Sequence, residues 1–258
     1  MYLGPYRRFT IYEPKERHIV SQGMFDKTIN HLVARYILLP SVEKGLIDSN
    51  VASRLNKGTS YGIKIFKDFK RKCDIKYKRY YILKCDISKF FYSIDQDILK
   101  EKLKRKIKDK DALKILFDII DSEEHGLGIG NMTSQILAIF YLNDMDHYIK
   151  EKLKIKYYLR YQDDFVLFHP SKKYLQYCLK EIERIVEQEH LKLNRKTRIY
   201  RNTNKFIFLG RDAKCKYARY RTLKRKIKRR KNMYLMNRIT LNSLAGTLIS
   251  YDTLTKRD

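Results

Sequence analysis

Tryptophan is absent from the 258 residues, and proline (4), cysteine (4) and glycine (10) are scarce. So little proline and glycine excludes a collagen-like or low-complexity chain. The cysteines, at positions 73, 85, 178 and 215, form no CxxC pair and no cluster with histidine, which excludes a zinc finger and a disulfide framework. A reducing, cytoplasmic setting is the expectation that follows. No signal-peptide pattern opens the chain, and no apolar run approaches the roughly 18 residues of a membrane helix. Acid is the other shortage: 29 Asp and Glu stand against 57 Lys and Arg, a net charge of +28. That excess implies a polyanionic partner, nucleic acid first and an anionic membrane surface second.

What is present is a core-forming chain, 43% hydrophobic with 21 Tyr and 12 Phe. Its length suits one large domain or two to three packed subdomains, and the aromatics can stack on bases. Residues 10–20 read as two short strands around a Pro14-Lys15 turn, with Lys15 and Arg17 on one extended face suited to phosphate. A helix is predicted from Phe25 to Val42 by the stripe Ile29, Leu32, Val33, Tyr36, Ile37, Leu39. The basic loop Arg54-Leu55-Asn56-Lys57-Gly58 then leads into a helix at Thr59 or Ser60, and such a loop suits contact with a phosphate chain.

Tyr80–Asp86 reads as a buried strand ending on an acid, followed by Phe90-Phe91 and a helix from about Gln96 to Ile107. The glycine-spaced loop Gly126–Gln135 precedes a long helix, about Ser134–Leu153, which Thr133 or Ser134 could cap. Next come Leu159 and Tyr161, then Gln162-Asp163-Asp164, then Phe165–Phe168: a hairpin with Gln162-Asp163 near its turn. Adjacent strand residues point to opposite faces, so only one of the two acids aims squarely at any one site. Lys172–His190 is helical, Leu191–Tyr200 reads as strand, turn and strand, and Phe206–Gly210 as a short strand stopped by glycine. From Lys214 to Lys231 there are 11 basic residues in 18 and no acid, with Tyr217, Tyr220 and Leu223 interleaved. That segment reads as a nucleic-acid face, with one last helix after it around Leu241–Ile249.

A strand-end acid, Asp86, and an acid pair 77 residues later, Asp163 and Asp164, are the parts of a two-metal phosphoryl-transfer site. Carboxylates suit Mg²⁺, a hard cation that takes few protein oxygens beside those of phosphate. With these residues in view, the chain resembles reverse transcriptases over nearly its whole length. Asp86 with Phe90-Phe91 is similar to the first catalytic motif, Tyr161-Gln162-Asp163-Asp164 to the Tyr-x-Asp-Asp box, and Phe208-Leu209-Gly210 to the primer-grip segment.

The resemblance implies an α+β, right-hand polymerase fold. Fingers would span 1–79, the palm 80–210 with an insertion around 96–125, and a short helical thumb 211–258. It also implies that Asp86, Asp163 and Asp164 are the catalytic acids, with Asp86 and Asp163 as direct ligands and Asp164 in support. Two Mg²⁺ ions, with Mn²⁺ as substitute, would be held by these acids and the Ile87 carbonyl. Phe91 would be the steric gate selecting deoxynucleotides, beside Phe90. Lys15 and Arg17 would bind the triphosphate, and Lys196 would protonate pyrophosphate. Ile129, Gly130 and Gln135 would line the nascent pair. Arg54, Lys57, Gly58, Tyr161, Gln162, Leu209, Gly210, Lys224, Arg225 and Lys228 would meet template RNA, primer and cDNA.

Ile129-Gly130-Asn131-Met132-Thr133-Ser134-Gln135 further resembles the loop of diversity-generating retroelement enzymes, which misincorporate opposite adenine and work with a small, basic helical accessory protein. An aliphatic Ile129 would lose polar contacts near the nascent pair and weaken discrimination. Gly128 stands where that family has proline. A retron-like or antiphage-defence reverse transcriptase and a non-catalytic RNA-binding scaffold are the competing readings, with an RNA-copying RNA polymerase disfavoured by Phe91. The short thumb points to a partner or a truncated chain, and the lack of a following maturase or endonuclease segment argues against a complete intron protein.

Overall fold

Residues 7–11, 17–210 and 220–255 are described by the computed structural model. They divide into two compact units, 1–201 and 202–258. The first unit opens on a hairpin, β1 (Arg7–Ile11) and β2 (Arg17–Ser21), paired antiparallel with Arg7 opposite Ser21. The expected Pro14-Lys15 turn lies outside the described residues. The helix expected over 25–42 is interrupted: α1 (Met24–Leu32) passes through a π-helical turn, Val33–Leu38, into α2 (Leu39–Glu43). Pro40 has no N–H and crowds the carbonyl four residues before it, and the wider turn accommodates both. Helix α3 (Thr59–Lys76) starts after Gly58 and supplies Phe66 and Phe69. Their rings meet Phe168 and Tyr157 at 5.7 and 5.3 Å between centroids.

Strand β3 (Tyr81–Asp86) buries Ile82, Leu83 and Cys85. The short α4 (Phe90–Ser93) follows Lys89, which takes a left-handed conformation. Helices α5 (Gln96–Lys106) and α6 (Lys110–Asp121) begin at Asp95 and Asp109, whose carboxylates accept hydrogen bonds from the first-turn amides. The single helix expected over 134–153 is broken at Leu142 into α7 (Met132–Tyr141), α8 (Asn143–His147) and a π-helical turn, Tyr148–Lys152. The break follows from Lys102, a buried lysine whose Nζ donates to the Tyr141 carbonyl at 2.8 Å and diverts it from the helix. Neither expected cap is used: α7 starts at Asn131, and the Thr133 hydroxyl donates to Asn30 Oδ1 at 2.6 Å.

The expected hairpin forms as β4 (Tyr157–Tyr161) and β5 (Asp164–His169), followed by α9 (Lys172–Gln188). With β6 (Arg198–Arg201) they complete a sheet of order β4-β5-β3-β6, in which every pairing is antiparallel. The strand expected before β6 shrinks to one bridge, Leu193 to Ile87. The main core lies under this sheet, where Leu83, Cys85, Phe165 and Leu167 meet Leu137, Tyr141, Cys178 and Ile182 of α7 and α9.

In the second unit α10 (Tyr220–Leu235) packs on α11 (Leu241–Thr255). The strand expected at 206–210 is a single bridge residue, Phe208. Leu209 and Gly210 both have positive φ, 50° and 74°, which no continuing strand can hold. The basic segment's residues 211–219, Tyr217 among them, lie outside the described residues. No helix of the described residues is long and apolar enough to cross a membrane.

Candidate active site

The sheet register assembles the acids. Asp86, the last residue of β3, stands opposite Asp164, the first of β5, and Asp164 also stands opposite Tyr161 of β4. Directly opposed residues of an antiparallel pair share a face, so Asp86 and Asp164 lie on one side of the sheet, as does Lys84 two residues back. Asp163 occupies the turn beside them, after Gln162, whose φ is +56°. Lys84 Nζ stands 3.3 Å from Asp164 Oδ1. That oxygen is buried, and the long contact from Lys84 answers it only in part. Burial pushes the Asp164 carboxyl up to about 7, Lys84 opposes the shift, and the charges of Asp86 and Asp163 add to it.

Segment 192–197 runs alongside the end of β3. Ser88 N donates to Lys192 O at 2.9 Å, and Asn194 N to Asp86 O at 2.7 Å. Asn194 Oδ1 then accepts from Lys196 N at 3.0 Å, which puts Lys196 in an exposed turn next to Asp86. Among the described residues no three His, Cys, Asp or Glu side chains form a ready-made metal cage. The donor set is nevertheless the right chemistry for a hard cation, and the buried, only partly compensated Asp164 Oδ1 is an oxygen such a cation could take. Ile87, expected to lend its carbonyl, has its side chain buried and its backbone in the bridge to Leu193.

The two phenylalanines separate. Phe90, expected beside the nucleotide, is 3% exposed and belongs to the core. Phe91 is partly exposed and remains available, edge-on to Phe90 at 5.8 Å. Its carbonyl accepts from Leu127 N at 2.8 Å, so the glycine loop docks directly on α4. The other end of the loop meets β2: Val20 N donates to Ile129 O at 3.2 Å, and a Cβ on Gly130 would stand 2.9 Å from Val20 O. Arg17 lies on β2, but its side chain, like Lys15 altogether, falls outside what is described. Gln135 is exposed, and its Oε1 accepts from Ser53 Oγ at 3.0 Å. Ser53 Oγ in turn accepts from Gln162 Nε2 at 3.0 Å, so the glycine loop's helix and the acid-bearing turn share one hydroxyl.

Arg54, expected on phosphate, is turned inward in this structure. Its guanidinium meets Glu43 at 2.6 Å and donates to the carbonyls of Ile47 and Asn50 at 2.7 and 2.8 Å, so it organises the loop. Lys57 is likewise engaged, with Asp48 Oδ1 at 2.7 Å. That bond holds the Asp48 carboxyl below its usual range. Gly58, at φ +112°, donates to Val51 O at 2.7 Å. Tyr161 accepts from Thr59 Oγ1 at 3.2 Å. In the second unit Arg225 and Lys228 are exposed on α10 and line a shallow groove of about 400 Å³ with Arg229 and Arg238. Lys224 lies on the same helix, its side chain not described, and Leu209 and Gly210 form the turn already noted.

Sequence reasoning missed the layer beneath the acids. Arg160 and Asp146 are both fully buried and paired at 2.6 Å, with Tyr158 and Asn50 bonded to the same carboxylate. A lone arginine inside the apolar run Tyr157–Tyr161 was the available signal, since a buried charge demands a partner.

A family model described as reverse transcriptase (RNA-dependent DNA polymerase) matches residues 15–212. No curated protein matches the chain. Among solved structures, telomerase from Candida tropicalis in complex with a fragment of telomeric RNA is similar at TM-score 0.65 and 15% identity, covering 97% of this chain and 52% of that one. Telomerase from Candida albicans, also with a telomeric RNA fragment, is similar at TM-score 0.59 and 14% identity, covering 96% and 52%. Apo Candida tropicalis telomerase truncated of its C-terminal domain gives TM-score 0.58 and 16% identity over 80% and 52%. The chain thus spans about half the length of the telomerase chains it matches, and at such identities the likeness is one of fold, the α+β right-hand polymerase fold. With most of its length under the family model and Asp86 registered against Asp164 at the head of its sheet, the chain belongs to the reverse transcriptase family.

Proposed function

We propose that this chain is the catalytic core of an RNA-directed DNA polymerase that extends a primer 3′-hydroxyl with deoxynucleoside triphosphates on an RNA template. The observation that carries the reading is the alignment of Asp86 with Asp164 across neighbouring strands, with Asp163 in the adjoining turn. Asp86, Asp163, Asp164 and the Ile87 carbonyl would hold two divalent cations, Mg²⁺ or in its place Mn²⁺. Held there, such cations would supply Lewis acidity toward the attacking hydroxyl and positive charge against the departing pyrophosphate. Lys15 and Arg17 hold the triphosphate, and Phe91 fills the space a ribose 2′-hydroxyl would need. Lys196, in its turn beside Asp86, gives a proton to pyrophosphate. In this reading 1–79 act as fingers, 80–210 as palm and 211–258 as a short thumb that grips the primer. The telomerase neighbours in complex with a telomeric RNA fragment support RNA as the class of partner.

Within that activity we favour error-prone copying at template adenines, in the manner of a diversity-generating retroelement. Ile129 offers an aliphatic side chain while its carbonyl is tied to Val20, and Gln135 turns its amide oxygen to Ser53. The loop therefore brings little polar discrimination to the nascent pair. A small basic accessory protein would meet a chain of net charge +28, so an anionic bridge such as the template RNA has to lie between them.

Primer extension on RNA with Mg²⁺, with and without such a partner, followed by cDNA sequencing, tests both levels. Asp163→Ala and Asp164→Ala must be silent. Errors concentrated opposite adenine and reduced by Ile129→Gln support the retroelement reading. Accurate or untemplated DNA supports a retron-like or defence enzyme. No extension under any condition leaves the RNA-binding scaffold.

A further inference from the structure

Strand β4 is buried over its first four residues, yet the fourth is an arginine. Arg160 is fully buried, and so is Asp146 on α8, a costly arrangement unless every donor and acceptor is answered. Nearly all of them are. Arg160 Nε and Nη2 donate side-on to Asp146 Oδ1 and Oδ2 at 2.7 and 2.6 Å. Nη2 also donates to the Ile139 carbonyl at 2.8 Å. Tyr158 OH donates to Asp146 Oδ1 at 2.6 Å. The backbone is fixed too, with Arg160 N donating to Ser49 O at 3.0 Å and Val51 N to Arg160 O at 3.1 Å.

One bond leaves this cluster. Arg160 Nη1 donates at 3.0 Å to the carbonyl of Gln162, the residue immediately before Asp163. Gln162 holds φ +56°, a conformation that a glutamine adopts only when its surroundings impose it. A planar guanidinium can grip the Asp146 carboxylate and the Gln162 carbonyl at once, whereas an ammonium is a point charge that cannot span both.

We propose that the buried Asp146–Arg160 pair is a positioning element for the acid-bearing turn, Arg160 holding the Gln162 carbonyl so that the Asp163 carboxylate is set against Asp86. The inference rests on the polymerase reading above and names residues that act on its site from beneath. Arg160 and Asp146 touch no substrate; they fix where the acids sit.

The test compares wild type with Arg160→Lys, Asp146→Asn and Tyr158→Phe in single-nucleotide incorporation and in the shift of Tm on adding Mg²⁺. Misplacing a catalytic group by about 1 Å lowers rate by about 100-fold. Arg160→Lys is therefore expected to lower kcat by about 100-fold with KM for the nucleotide changed less than about threefold. Its Mg²⁺-dependent Tm shift should largely vanish. Tyr158→Phe, which leaves the Gln162 bond intact, should keep both readouts near wild type. Adding Gln162→Asn to Arg160→Lys should recover part of kcat, because asparagine accepts positive φ more readily. If Arg160→Lys does not fold, Asp146→Asn carries the same expectation at about tenfold, since the weakened anchor loosens the same grip. A folded variant with kcat within threefold of wild type and an undiminished Mg²⁺ shift overturns the proposal, as does a loss confined to KM. If wild type extends no primer the polymerase reading fails, while the Mg²⁺ shift still decides the positioning claim. No Mg²⁺ shift in wild type and no extension overturns both.

Discussion

A Cβ placed on Gly126 would stand 2.3 Å from the Phe91 carbonyl oxygen and 2.6 Å from that of Tyr92, both backbone atoms that cannot rotate away. To relieve this, the loop must retreat from α4 by about 1 Å. Retreat breaks the Leu127 N–H bond to Phe91 and disturbs Gln96, whose Nε2 donates to the carbonyls of Ile120, Glu123 and Gly126. Each such bond is worth about 1 kcal/mol net, and alanine in the left-handed conformation costs about 1 more. Gly126→Ala should therefore destabilise by about 2–4 kcal/mol. Gly58 provides the comparison: its φ is +112° but nothing lies within 4 Å of a Cβ, so only backbone strain of about 1–2 kcal/mol applies. Gly246, in α11 with open space around it, supplies the opposite sign, a gain of about 0.5–1 kcal/mol for alanine. Urea unfolding followed by circular dichroism measures all three, tryptophan fluorescence being unusable in a chain without that residue. Because the loop docks on α4, which carries the proposed gate Phe91, Gly126→Ala should also weaken discrimination between deoxy- and ribonucleotides. An order other than Gly126, Gly58, Gly246 from most to least destabilising would refute the view that the loop is clamped onto α4.

His147 places its ring nitrogens against the Gly45 carbonyl at 2.8 Å and Glu151 at 2.6 Å, both acceptors, so both nitrogens must carry protons and its pKa is raised, the Gly45 bond contributing most. Its contribution to stability is full below the unfolded value near 6.5 and disappears as pH rises through the raised folded value, so the Tm difference between wild type and His147→Gln should shrink from pH 5 to pH 9. Burial pushes the Cys73 thiol up to about 12 and Cys178 to about 11, and holds Cys85 well above its usual range. In a Cys215→Ser background an alkylating reagent at pH 8 should spare all three until urea unfolds the protein; rapid native labelling would contradict their burial. Arg54→Ala should lower stability by about 2–3 kcal/mol while leaving the salt dependence of RNA binding unchanged, since this guanidinium releases no counterions on binding. A flatter salt slope would restore it as a phosphate contact.

The helices and strands whose signals are local were legible. The start of α3 after Gly58, the extent of α5 and the apolar stripe of α9 agree with the sequence reading to within a residue or two, and apolar runs on either side of Gln162-Asp163 gave β4 and β5. The acids were legible as residue types, and their meeting followed from a strand end and a turn. Breaks and burials set by distant partners were not legible. The interruption at Leu142 depends on Lys102, and Arg54 is drawn inward by Glu43 and two carbonyls that no spacing reveals. Phe90 and Phe91 are adjacent and chemically identical, and only the three-dimensional packing buries the first and leaves the second partly exposed.

Lys84 bears on how the acids coexist. It is the alternate residue of β3 before Asp86, on the same face, and its ammonium faces Asp164 Oδ1 at 3.3 Å, a long contact that offsets the burial of the carboxyl only in part. An ion pair so placed lowers the repulsion among Asp86, Asp163 and Asp164 but does not remove it, for the Asp164 carboxyl still rests at about 7. Burial thus disfavours the charged form of Asp164, and added positive charge within reach of Oδ1 would favour it. A lysine bonded squarely to Asp164 would satisfy the carboxylate and close the site to a cation. The offset ammonium keeps the strand ends compatible with folding while compensating the buried Asp164 carboxylate only in part, and that shortfall is where the chain is electrostatically incomplete on its own.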